Sequence, residues 1–102
     1  MTTPLFSLGA LVATPGALSV AEECTNPQSA MRAILFLHHH GLWNETLMCE
    51  EDREYNNAAI ENGGRILSVW ELDVPDSPHP TPVWIITEAD RSVTTLLLPS
   101  EY

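Results

Sequence analysis

Val83-Trp-Ile-Ile-Thr-Glu-Ala-Asp-Arg-Ser-Val-Thr-Thr-Leu-Leu-Leu-Pro99 decides how this chain folds. Trp84 to Thr87 and Val93 to Leu97 are β-branched, aromatic or aliphatic, the types that fill a pleated, half-buried surface, and Glu88 to Ser92 between them is short and polar. The stretch predicts an antiparallel hairpin with strands in the core and a polar tip. Just before it, Asp73 to Pro82 holds four prolines and cannot supply the hydrogen bonds of a strand, so it reads as a connecting loop. A stiff connection accounts for these prolines more simply than a proline-rich docking motif does. Further back, Arg65 to Leu72 alternates Ile66, Ser68, Trp70 and Leu72 with Arg65, Leu67, Val69 and Glu71, the pattern of a strand with one face more buried than the other.

Helical signals fill the middle of the chain. Thr14-Pro15 and Asn26-Pro27 each pair a good N-cap with a proline at the first helical position, where no N–H is needed. They predict a short helix over Pro15 to Glu23, with Ala17, Leu18 and Ala21 facing the core. A longer helix follows to His40, stopped by Gly41, and Phe36 widens its apolar surface to more than one face. A third helix is expected over Glu50 to Asn62. Its acidic first turn suits the helix dipole, Gly63-Gly64 ends it, and Tyr55, Ala58, Ala59 and Asn62 share a face. Leu5 to Ala13, apolar at alternate positions, reads as a first strand in which Gly9 marks a bulge or a close approach. Pro99 to Tyr102 reads as a terminal tail. The expected fold is α+β: a C-terminal three-stranded antiparallel meander, joined by the first strand at an edge, with three helices on one face. The sequence does not fix the first strand's partner.

The 102 residues make one domain, 1–102, with a single core. Fourteen acidic against four basic residues, all of them arginine, give a formal charge of -10. Direct nucleic-acid binding is excluded in practice, since that affinity comes from clustered Lys and Arg. The same charge suits a basic or nucleic-acid-binding protein partner, although acidity for solubility alone explains it too. Cys24 and Cys49 form no metal-ligand spacing, the N-terminus lacks the basic start of a signal peptide, and no apolar run approaches the roughly 20 residues of a membrane span. A cytoplasmic protein with reduced thiols and no membrane contact is expected.

Three places carry chemistry. His38-His39-His40 is conspicuous, but consecutive helical residues point about 100° apart and cannot easily share a metal, so stabilisation of the helix C-terminus is the simpler reading. Glu50, Glu51, Asp52 and Glu54 form an acidic run that reads as solvated surface or a protein-binding face. Glu88, Asp90 and Arg91 sit at the hairpin tip among Thr87, Ser92, Thr94 and Thr95. Turn chemistry accounts for them if Asp90 caps the turn and Arg91 pairs with Glu88 or Asp90. Gly-x-Ser-x-Gly, the phosphate-binding loop and His-Glu-x-x-His are all absent, so no catalytic, cofactor or metal residue is assigned.

Leu8 to Leu18, His38-x-x-Gly41-x-Trp43, Asp52-x-x-x-Asn56, Gly64 to Ser68 and above all Trp84 to Ser92 with Thr94-Thr95 and Leu97-Leu98-Pro99 are the motifs of a resemblance. The chain resembles a family of small proteins from bacterial plasmids, integrative elements and phages, often labelled plasmid-related or restriction-modification subunits. Leu42, where relatives usually have Asp, and Trp70, where Tyr is common, depart from its pattern. The resemblance implies a mobile-element setting and no established activity. The leading expectation is a non-enzymatic interaction protein with Glu50, Glu51, Asp52, Glu54, Glu88, Asp90 and Arg91 as partner-binding residues. Its concrete form is anti-defence: inhibition of a host nucleic-acid-binding, CRISPR or restriction protein by carboxylates standing in for DNA phosphates. One alternative is a small enzyme joining His38, Asp52 and Asn56 to Glu88, Asp90 and Arg91. Another is an oligomerisation module, favoured if the helices leave an apolar sheet face uncovered.

Overall fold

A computed structural model describes residues 3–102. The elements run β1 (Ala10–Ala13), α1 (Pro15–Glu23), α2 (Pro27–His39), α3 (Glu50–Asn62), β2 (Ile66–Leu72), β3 (Thr81–Thr87) and β4 (Val93–Leu97), followed by a 3-10 turn over Pro99–Glu101. The class is α+β as expected, but the four-stranded sheet is mixed. Its order is β1-β4-β3-β2, and β1 lies parallel to β4 from Ala10↔Val93 to Ala13↔Leu96. The direction follows from the connection. Thr14-Pro15 starts a helix straight after β1, so the chain leaves across the sheet instead of turning back as a hairpin.

The hairpin forms as read, with Trp84↔Leu97 to Thr87↔Thr94 paired antiparallel. β3 starts earlier than expected and contains Pro82. β4 pairs only from Trp84 onward, so the missing N–H of Pro82 interrupts no bond to it. β1, in contrast, begins only at Ala10. Gly9 takes a left-handed φ of +64°, and a Cβ there would meet the carbonyl oxygens of Arg91 and Ser92 at 2.4 Å. The chain therefore crosses against the hairpin tip at Gly9, and Leu5 to Leu8 lie beyond the end of β4 with no strand to join.

The helices begin as the caps require: Thr14 Oγ1 accepts from the Ala17 N–H and Asn26 Oδ1 from the Ser29 N–H, each at 3.2 Å. α1 and α2 cover one sheet face, where Ala17, Cys24 and Ile34 pack on Trp70, Leu72, Val83, Ile85 and Leu96. Several side chains face differently from the expectation. Leu18, Phe36 and Tyr55 are exposed, and Phe36 stacks on His40 with ring centroids 4.1 Å apart. The buried side of α3 is Asn56 and Ala59. α3 lies along the outer edge of β2, where the Asn56 amide donates to the Leu67 carbonyl at 2.7 Å and accepts from its N–H at 3.3 Å.

The opposite sheet face, with Leu67, Val69, Trp84, Ile86, Thr95 and Leu97, is crossed by the C-terminal turn instead of α1 or α2. This segment is an ordered brace, where the sequence suggested a tail. Tyr102 packs edge-on against Trp84 and accepts a 2.8 Å hydrogen bond from Arg65, while Glu101 accepts from the Thr14 hydroxyl and from the N–H groups of Gly16 and Leu98. These bonds, the Thr14 hydroxyl first, hold the Glu101 carboxyl below the usual glutamate range and place its charge at the start of α1.

Gly9→Ala is expected to lower stability by roughly 1–3 kcal/mol, because it combines a left-handed φ with a backbone clash. Urea unfolding measures this, and an unchanged midpoint would show that the close approach at the hairpin tip does not exist.

Candidate functional site: a sealed histidine and an exposed acidic helix

His38 lies in the apolar side of α2 with no solvent exposure. Its Nδ1 is 2.6 Å from Ser68 Oγ on β2 and its Nε2 is 2.8 Å from Thr87 Oγ1 on β3. The chain of contacts continues to Thr94 Oγ1 on β4 at 2.7 Å, and Thr94 donates to the Leu8 carbonyl at 2.7 Å. At the other end, the Trp70 indole N–H donates to Ser68 Oγ at 2.6 Å.

The two ends fix every proton between them. Thr94 spends its hydrogen on the Leu8 carbonyl, so Thr87 must donate to Thr94, and Thr87 then accepts from His38 Nε2–H. His38 Nδ1 is left as an acceptor and takes the Ser68 hydroxyl hydrogen, while Ser68 accepts from Trp70. In the neutral imidazole the proton therefore lies on Nε2. Burial, with a smaller contribution from the neighbouring His39, pushes its pKa down to about 3. Phe6 and Trp43 close around the ring edge-on, at 5.4 and 5.9 Å between centroids.

This arrangement corrects the reading of the histidine run as helix-end cations. His38 carries no charge, and its two nitrogens bind hydroxyls on two strands. His40 instead turns its Nδ1 onto the Phe36 carbonyl at 2.8 Å. Among the described residues, no three His, Cys, Asp or Glu side chains are grouped to hold a metal ion.

The hairpin tip is turn chemistry with different partners from those expected. Asp90 accepts from the Ser92 N–H at 2.9 Å, and its hydrogen bonds with Ser92, side chain before backbone, hold it below the ordinary aspartate range. Among the described residues Arg91 has no ion-pair partner. Its left-handed φ of 61° turns the guanidinium inward, where it donates to the carbonyls of Gly64, Ala59, Glu88 and Ala89 at 2.6, 2.9, 3.1 and 3.3 Å. A cation thus meets the C-terminal end of α3, the favourable end of its dipole. Glu88 pairs instead with Arg65 at 3.5 Å. Thr87 and Thr94 are buried in the His38 chain, and Thr95 faces the other side of the sheet.

The side chains proposed for an enzyme site do not converge. His38 is sealed, Asn56 is tied to β2, Arg91 is tied to carbonyls and Asp90 caps the turn. Asp52 and Asn56 share the lining of a cavity of about 220 Å³ with Met48, Tyr55 and Leu67, whereas Glu88 lines a separate one of about 350 Å³ with Arg65 and Tyr102. Glu50, Glu51, Asp52 and Glu54 remain, all exposed at the start of α3. Among the described residues, the ion pair in the acidic run is that of the intervening Arg53 with Glu45 at 3.6 Å.

The Ser68-Thr87-Thr94 set was not singled out from sequence. Its trace was present, since Ser68 falls on the buried phase of an apolar alternation and His38 on the apolar stripe of a helix. A polar residue at each core-facing position signals a shared hydrogen bond. Comparisons with protein-family models, curated proteins and solved structures find no match to this chain.

Two measurements check this geometry. His38→Leu strands the Ser68 and Thr87 hydroxyls and is expected to cost on the order of 3 kcal/mol in urea unfolding at pH 7. The unfolded histidine takes up a proton near 6.5, the folded one only near 3. The wild type's advantage is therefore complete above pH 6.5 and shrinks by about 1.4 kcal/mol per pH unit as pH falls toward 3. A gap between wild type and variant that stays constant down to pH 4.5 would refute the neutral, buried imidazole. Arg91→Lys keeps the charge but loses the planar fork that reaches α3 and the turn together, so a loss of about 2 kcal/mol is expected. Stability equal to wild type would show that charge alone suffices at this position.

Proposed function

We propose that the protein is a non-enzymatic interaction protein whose acidic surface, centred on Glu50, Glu51, Asp52 and Glu54, binds a basic or nucleic-acid-binding protein. The observation that carries this reading is the exposed, uncompensated carboxylate run at the start of α3. Among the described residues the ion pairs are Glu45–Arg53 and Glu88–Arg65, so only two of the fourteen acidic side chains meet a basic one. Glu50 and Glu54 are one helical turn apart, about 6 Å along the axis, and so present charge along one line. Such a field attracts a basic groove and speeds encounter with it.

Of the remaining partner-binding candidates, Glu88 and Asp90 stand at the hairpin tip beside the C-terminal end of α3, apart from this run, and Arg91 leaves the set because its guanidinium is engaged inside the fold. The resemblance to proteins of plasmids, integrative elements and phages gives the proposal its concrete form. The partner is then a host defence protein whose nucleic-acid groove the carboxylates occupy. An oligomerisation role is the second reading, favoured by the exposed apolar side chains of Leu11 and Val12 on β1.

Affinity capture with the full chain, at low and at physiological salt, is expected to recover a basic protein whose binding weakens as salt rises. The combined variant Glu50→Gln, Glu51→Gln, Asp52→Asn and Glu54→Gln is expected to bind that protein at least about tenfold less tightly, equivalent to roughly 1.4 kcal/mol. Recovery of no basic partner at either salt concentration, or binding that survives high salt unchanged, would overturn the proposal.

A further inference from the structure

No Asp, Glu, Lys, Arg or His occurs before Glu22 in this heavily charged chain. That uncharged segment supplies β1, an edge strand with β4 on one side only. The Ala10 N–H donates to the Ser92 carbonyl at 3.0 Å and the Thr14 N–H to the Leu96 carbonyl at 2.9 Å. Backbone groups alternate sides along a strand, so the N–H and C=O of Leu11 and Ala13 point away from β4. Leu11 and Val12 are 53% and 46% exposed.

The two sheet edges are treated differently. On the β2 edge, Asn56 occupies the outward N–H and C=O of Leu67, and the rest of the strand carries the exposed charge of Glu71. On the β1 edge nothing comparable is present among the described residues, and the strand Ala-Leu-Val-Ala has no charge, proline or bulge to discourage pairing.

We propose that β1 pairs antiparallel with β1 of a second copy of this chain, across a two-fold axis at Val12, joining two sheets into one. In this register Leu11 exchanges backbone hydrogen bonds with Ala13 of the second copy and Val12 faces Val12. Charge selects the occupant. Two copies meeting through α3 or the hairpin tip would set carboxylate against carboxylate, whereas this edge brings no charged side chain of its own strand to the contact. A basic partner gains nothing from it. The contact deepens the oligomerisation reading and does not depend on what the α3 face binds. Because β1 is short, the buried area falls below that of a standard interface, and the dimer is concentration-dependent.

Sedimentation velocity on the full chain, from low micromolar to near-millimolar concentration, tests it. The mass of the wild type is expected to rise toward that of a dimer, and to do so more readily at high salt, where repulsion between the two acidic bodies is screened. This is the opposite salt dependence to that of the acidic face. Leu11→Pro removes an outward N–H while leaving the N–H groups bonded to β4, and Val12→Lys places like charges opposite each other. Both are expected to weaken the dimer at least tenfold with the unfolding midpoint near wild type. Should Leu11→Pro fail to fold, Val12→Lys carries the test. A wild type that stays monomeric at both salt concentrations overturns the proposal, as do folded variants that dimerise like wild type, open-ended assembly, or a monomer that captures an extended apolar peptide at Leu11.

Discussion

One directed line of hydrogen bonds, from the Trp70 indole through Ser68, His38, Thr87 and Thr94 to the Leu8 carbonyl, holds the parts of this molecule in register. It passes through α2, three of the four strands and the irregular N-terminal stretch. Each member has one hydrogen to give and one place to give it, so a one-residue slip of any strand would turn a hydroxyl to the wrong face and orphan its neighbours. Apolar contacts alone would resist a one-residue slip but tolerate a slide of two, which keeps each side chain on its face. The polar line gives the small core one arrangement, with Phe6 and Trp43 excluding water from its centre.

Much of this architecture was legible in the sequence. Thr14-Pro15, Asn26-Pro27 and Gly63-Gly64 specify helix ends through local chemistry, and α1 and α3 lie where those signals place them. The hairpin was legible because Val83 to Pro99 is locally consistent. What escaped depended on distant partners. The parallel placement of β1 needs β4, more than seventy residues away, and the first strand's short length is set by the hairpin tip that Gly9 crosses. Glu101 likewise acts on α1 only because the C-terminal turn meets the start of that helix. Leu18 and Phe36 were misplaced because helical spacing gives a stripe without saying how far the sheet reaches beneath it.

The candidate site was legible in a narrower way. The exposed acids of α3 were placed correctly by composition and helical position, since charge run and helix start coincide there. Arg91 and Asn56 were read as groups available to a ligand because side-chain type says nothing about occupancy. In the fold, Arg91 gathers four carbonyls from α3, Gly64 and the turn, and Asn56 substitutes for a missing strand beside β2. Both satisfy backbone groups at the end of an element, a demand visible only once those ends are near each other.

A division of labour follows. The groups best suited to chemistry, an imidazole, a guanidinium and a carboxamide, have their donors and acceptors committed to backbone or hydroxyl partners inside the fold. Releasing any of them for a substrate would strand the partner it now satisfies. What the fold leaves unspent is of two kinds: a run of carboxylates on α3 and an uncharged strand edge at β1. Salt screens the field of the first and leaves the second, which carries no charge, unaffected, so ionic strength tells the two surfaces apart. The reactive groups hold the structure together, and the groups left free lie on its surface.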